Sequence, residues 1–232
     1  MNKKILIIIL VALIILGILI FAGVKNSQKQ QGMLTTKTTS KGNGIENNVE
    51  NNVNEEDEIN EEETNMYSSG KHYATIEIKE YGKIKLELDA DIAPITVANF
   101  AKLVNEGFYN GLTFHRIMDG FMMQGGDPLG NGTGGSSESI KGEFLLNGVK
   151  NNISHVRGVI SMARSSAYNS ASSQFFIVHE DSEFLDGQYA AFGKVIEGIE
   201  VVDKICENVP AVDNNGTVWK QNQPIIEKIT ME

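Results

Sequence analysis

The 232-residue chain contains a single cysteine, Cys206. No disulfide can form within it, so the fold must be held by core packing. A basic surplus is missing too: 20 Lys and Arg stand against 30 Asp and Glu, a net charge of −10. Phosphate backbones are bound by concentrated positive surface, so this balance excludes nucleic acid as a partner. No G-x-S-x-G elbow occurs, which leaves a serine hydrolase built on His115, His155 or His179 with only residue types in its favour. The glycine-rich stretch GGDPLGNGTGG (125–135) lacks the Lys-Ser or Lys-Thr pair of a phosphate loop. The SSESIKGEF that follows does not read as a helix start, so a turn-rich surface loop is expected there.

Residues 5–24, ILIIILVALIILGILIFAGV, lack any polar face, which excludes an ordinary core helix. At about 1.5 Å per residue the run would span about 30 Å, the thickness of a bilayer core. Lys3 and Lys4 precede it, and Phe21-Ala22-Gly23 makes a poor cleavage site, so an uncleaved single-pass membrane anchor over 1–24 is predicted in preference to the alternative, a removed signal segment. The short N-terminal tail reads as a secretion-type start, placing the globular part outside the cytoplasm at the cell membrane. Residues 25–70 are polar, poor in aromatics and acidic, as in ENNVENNVNEEDEINEEE (46–63). Such composition cannot bury enough apolar surface to offset its ordering entropy, and a disordered, solvated tether is expected.

A folded domain is expected over 71–232. ATIEIKEYGKIKLELD (74–89) alternates apolar and polar residues around Tyr81-Gly82-Lys83, a hairpin pattern. In APITVANFAKLVNEGFY (93–109) the spacing of Val97, Phe100, Ala101 and Val104 predicts a helix, with Pro94 in its first turn and Gly107 just past its end. Strand-like runs follow at GLTFHRIM, GVISMA, SQFFIV, AAFGKV and QPIIEKITME, and GIEVVDKICE reads as a second helix. Many short strands with two helices suggest a mainly β protein, an antiparallel barrel with helices at its ends.

FHRIMDGFMMQGGD (114–127) sets one arginine against Phe, Met and Gln, with no cysteine, serine or metal cluster. Together with NGTGG (131–135), GVISMAR (158–164), SQFFIV (173–178) and FLDGQYAAFGKV (184–195), it falls in the order and spacing seen in cyclophilins. From about Tyr73 to the C-terminus the chain resembles that family, especially its bacterial members. The resemblance implies a closed eight-stranded antiparallel barrel capped by two helices. It also implies cis/trans isomerisation of X-Pro bonds in a groove on the outer barrel wall, with no metal and no cofactor.

The resemblance also assigns residues. Arg116 matches the catalytic arginine, and Phe121, Met122, Phe176 and Leu185 match the proline pocket. Gln124 and Gln174 match positions that grip the substrate backbone; Ala163, Arg164 and Gly132 match the groove lining. Tyr189 stands where many members have His, and Arg164 where the best-known members have Asn. Phe184 replaces a tryptophan, and the lost indole N–H argues against tight cyclosporin binding. His115 receives no proton-transfer role, because the reaction transfers none. The expected partners are proline-containing unfolded or extended polypeptides, chiefly secreted or cell-surface chains. The alternative is a proline-segment binding module in which turnover is incidental.

The chemistry fits such a residue set. Rotation about an X-Pro bond must break amide resonance, a barrier of about 18–20 kcal/mol. No bond to carbon is made or broken, so a nucleophile would be idle. As the amide twists, its nitrogen lone pair localises and becomes an acceptor. A donor aimed there favours the twisted form over the planar one, which is the condition for catalysis.

Overall fold

The computed structural model describes residues 66–232. The anchor predicted over 1–24 and residues 25–65 of the tether predicted over 25–70 lie outside the described residues; its last five residues, 66–70, are instead ordered, with Tyr67 packed on the core and Gly70 hydrogen-bonded to Ala90 and Asp91. Among those described, no helix is long and apolar enough to cross a membrane.

Eight antiparallel strands form one sheet: β1 (Lys71–Ile78), β2 (Gly82–Asp89), β3 (Thr113–Met118), β4 (Met122–Asp127), β5 (Val159–Met162), β6 (Phe175–Val178), β7 (Ala191–Glu197) and β8 (Ile226–Met231). Their order is β3-β4-β6-β5-β7-β2-β1-β8. The sheet curls until its outer strands meet at their starts. Thr113 bridges Ile225, the Phe114 amide donates to the Pro224 carbonyl, and Gly111 and Leu112 exchange bonds with Ile226. In β1 and β2 every second residue is buried (Ala74, Ile76, Ile78; Ile84, Leu86, Leu88), as the alternation predicts.

The first helix, α1 (Pro94–Asn105), begins with Pro94 in its first turn. Its N-terminal amides are met by a distant side chain: Glu143, itself buried, accepts from the amides of Ile95 (3.1 Å) and Thr96 (2.8 Å). A carboxylate there suits the positive end of the helix dipole. At the other end Gly107 takes φ +70°, and the Gly107 and Phe108 amides reach back to Val104 and Leu103. This is a Schellman closure, which only a residue free of Cβ adopts without strain. The second helix, α2 (Ile199–Asn208), buries Val201, Val202, Ile205 and Cys206. Both helices feed one core with the sheet, centred on Phe100, Tyr109, Phe114, Phe175 and Phe192, whose rings pack 5.3–6.0 Å apart. Each such side chain contributes roughly 1.5–3 kcal/mol by leaving water.

β4 has no counterpart among the strands predicted from sequence. Its glycines disguise it. A Cβ on Gly125 would lie 2.9 Å from both the Phe114 ring and the Thr113 carbonyl, so glycine is what lets β3 and β4 approach.

Candidate active site

The register aligns the site. Arg116 on β3 faces Gln124 on β4, Gln124 faces Phe176 on β6, and Phe176 faces Ser161 on β5. One step along, Met118, Met122 and Val178 are paired in the same way. Paired residues share a face, and the alternate residues Ile117, Met123, Ile177 and Ile160 belong to the core. The row containing Arg116 therefore lies on the outer wall. A second apolar cluster forms there from Met122, Val159, Phe176, Val178, Leu185 and Ala191, with Met118, Phe121, Ala163 and Tyr189 packed against it.

A β-bulge sets the aim of the arginine. The β3–β4 register shifts between Phe114 and Arg116, leaving His115 as the extra residue. Phe114 and His115 are both buried, and Arg116 turns outward. Its Nε donates to the Asn215 carbonyl at 2.6 Å and one terminal nitrogen to Gln124 Oε1 at 3.3 Å. The remaining contacts are to sulfur, with Met118 Sδ at 3.2 Å and Met122 Sδ at 4.0 Å. Its guanidinium carbon lies 5.8 Å from the Phe121 ring centre. Burial pulls the guanidinium below its ordinary pKa, with Tyr189 and Asp213 acting the other way; arginine starts high enough to stay charged.

The amides are chained in one direction. Gln124 Nε2 donates to Gln174 Oε1 (2.9 Å), and Gln174 Nε2 donates to the carbonyls of Gly132 (3.2 Å) and Gly134 (2.7 Å). Gln174 also offers its backbone carbonyl to the Ala163 amide at 2.9 Å. The chain thus ties Arg116, Gln124, Gln174, Gly132 and Ala163 into one wall.

The far side of the cluster is aromatic. The 3₁₀ turn Glu183–Leu185 buries Leu185 and leaves Phe184 exposed, its ring 5.6 Å from that of Phe121. Tyr189 stands edge-on to Phe176 at 5.9 Å. Arg164 lies over the rings of Tyr189 (4.7 Å), Phe144 (5.0 Å) and Tyr168 (5.2 Å), and donates twice to the Gln188 carbonyl. All twelve residues singled out from sequence thus fall on this wall or the loops beside it.

Several supporting groups were not among the site residues that the resemblance assigned. Asn215 acts through its carbonyl, held in a turn whose amides at Asn215 and Thr217 bond to Asp213. Behind Phe176 lies the buried His155 ring, stacked at 6.0 Å and 17°. It bridges Ser161 Oγ (3.0 Å) and Asp186 Oδ1 (2.8 Å). That order of residues mimics a hydrolase triad, but Ser161, although in the outer row beside Phe176, has no exposed surface for a substrate carbonyl to reach. Burial lowers the His155 pKa, opposed by Asp186.

The glycine-rich loop is not arranged as a phosphate cradle, since several of its amides are turned onto its own side chains. Buried Asp127 accepts from the amides of Leu129 (2.8 Å), Asn131 (3.0 Å) and Gly132 (2.6 Å). Burial pushes its carboxyl up, but these backbone bonds outweigh that and hold it below the usual range. Gly132 thereby sits beside the buried His115, whose Nε2 is 3.5 Å from where a Cβ on Gly132 would lie. Among the described residues no group of His, Cys, Asp and Glu could hold a metal ion.

Comparison with known proteins agrees with this geometry. Residues 73–231 match the family model for cyclophilin type peptidyl-prolyl cis-trans isomerases. Peptidyl-prolyl cis-trans isomerase B of Bacillus subtilis is 45% identical over 144 residues, covering 62% of this chain and 92% of that one. The Helicobacter pylori isomerase is 48% identical over 135 residues, covering 57% and 79%. A crystallised cyclophilin-type isomerase from Cryptosporidium parvum superposes with a TM-score of 0.62 at 32% identity, covering 70% of this chain and 98% of that one. A second structure of that protein, in the presence of the dipeptide Ala-Pro, superposes at 0.61 with 33% identity, covering 69% and 98%. The chain belongs to the cyclophilin family and is a peptidyl-prolyl cis-trans isomerase.

Proposed function

We propose that Arg116 is the catalytic donor, lowering the X-Pro barrier by bonding the prolyl nitrogen as the amide twists. The supporting observation is its hydrogen-bond set. Only two of its five N–H groups meet oxygen acceptors; two more face the sulfurs of Met118 and Met122, which are weak acceptors, and the fifth has no acceptor among the described residues. A localised nitrogen lone pair would be a stronger partner, available only on the way to the transition state. Phe121, Met122, Phe176 and Leu185 grip the proline ring, while Gln124, Gln174 and the Ala163–Arg164 backbone hold the extended chain. The Ala-Pro named with the Cryptosporidium enzyme supports a proline-containing peptide as the substrate class. Phe184 offers no N–H at the rim, so cyclosporin is expected to bind weakly.

The apolar run at 5–24 and the acidic tether supply the rest of the reading. They suit a membrane-anchored enzyme whose closed barrel faces outward and acts on secreted or cell-surface chains. The catalytic claim is tested by an X-Pro peptide assay on the full chain and Arg116→Ala. Loss of one preorganised donor is expected to lower kcat/KM by about 10²–10³. Full activity in the variant would remove Arg116 from the mechanism.

A further inference from the structure

The turn Met118-Asp119-Gly120-Phe121 joins β3 to β4 and carries two residues that touch Arg116. Met118 offers its sulfur at 3.2 Å, and Phe121 lies under the guanidinium. The turn itself is short, closed by the Phe121 amide on the Met118 carbonyl, with Gly120 at φ +71°. Asp119 and Gly120 are exposed, so little packing fixes the turn. Among the described residues one side chain from elsewhere hydrogen-bonds to it, while the Glu180 carboxylate lies beside Gly120. His179, just past β6, is buried, and its Nδ1 accepts from the Gly120 amide at 3.1 Å. Its own amide donates to the Phe121 carbonyl at 2.8 Å. On the other side Nε2 lies 3.2 Å from Asp203 Oδ1 on α2, an ion-pair distance without hydrogen-bond alignment, and Asp203 is paired with Arg157 (2.6 and 2.7 Å).

These contacts fix the tautomer. A backbone amide can only donate, so Nδ1 must be unprotonated and the ring hydrogen sits on Nε2, facing Asp203. We infer that His179 is a positioning residue for catalysis: it couples α2 to the β3–β4 turn and so sets the place of Phe121 and Met118 against Arg116. The inference rests on the proposed role of Arg116, but its test reads a different atom. The Asp119 carboxylate, 3.5 Å from Nδ1, cannot donate to that nitrogen, so the Gly120 amide is the donor that holds it.

The two ring nitrogens can be imitated separately. In His179→Asn the side-chain carbonyl falls near the Nδ1 position, keeping an acceptor for Gly120 and losing Asp203. In His179→Gln the longer amide imitates Nε2, keeping Asp203 and losing Gly120. X-Pro peptide kinetics and the amide NMR resonance of Gly120 are measured on wild type and both variants. We expect His179→Asn to keep kcat/KM near wild type with Gly120 little shifted. His179→Gln should lose roughly fivefold, the equivalent of one hydrogen bond, with the loss in kcat and Gly120 displaced. Equal loss in both variants, or kinetics unchanged in His179→Gln while Gly120 moves, overturns the inference. An Arg116→Ala chain that kept full activity would instead defeat the catalytic reading, so the two failures are distinct.

Discussion

Replacing Gln124 by Glu should separate activity from stability. Gln124 Oε1 accepts from Arg116 at 3.3 Å in the half-buried wall. The variant puts a carboxylate at the same distance. Two unit charges 3.3 Å apart at an effective dielectric near 20 attract by about 5 kcal/mol. Solvent access and side-chain freedom reduce the net gain of such a pair to about 1 kcal/mol. To serve a prolyl nitrogen, Arg116 must weaken this attraction, and each 1.36 kcal/mol is tenfold in rate. The new carboxylate also faces Gln174 Oε1, now receiving the Gln124 amide at 2.9 Å, so that bond is lost. Gln124→Leu controls for this, since it removes the amide without adding charge. We expect kcat/KM in Gln124→Glu to be about five- to tenfold below Gln124→Leu, while its melting temperature is equal or higher. Equal rates in the two variants would show that the free charge of Arg116 is not what lowers the barrier.

Two other outcomes can be measured. Burial lowers the pKa of both His115 and His155 in the folded state, so the unfolded chain takes up their protons first. Stability should be level above pH ~7 and fall as pH drops from about 6.5 toward the folded values, by up to about 2.7 kcal/mol per pH unit for two protons. Urea unfolding that is unchanged between pH 7.5 and 5.5 would contradict this. If the domain lies outside the cytoplasm, protease added to intact cells should cut it; protection until lysis would reverse the proposed orientation.

How much of this could be read in the sequence depends on where the information resides. Local signals were legible: Pro94 and Gly107 bound α1, and the alternation in 74–89 marks the first hairpin, although its turn closes at Ile78–Tyr81, slightly earlier than Tyr81–Lys83. β4 was not legible, because Gly125 and Gly126 lack side chains to alternate. The bulge at His115 was hidden too: simple alternation would leave one of two neighbouring residues outside, whereas Phe114 and His115 are both buried. The candidate site residues were singled out through motif register, since isolated Phe and Met beside strands usually mean core. The Asn215 carbonyl, 99 residues from Arg116, could not be found this way. A backbone acceptor carries no residue identity, and only the folded chain brings it to the arginine.

The central claim is most directly tested by a crystal structure of this chain with a bound Ala-Pro peptide. It should show the proline ring seated against Phe121, Met122, Phe176 and Leu185, with a terminal Arg116 nitrogen about 3 Å from the prolyl nitrogen. A ring lodged elsewhere, or a guanidinium turned from that nitrogen toward Asp213, would contradict it.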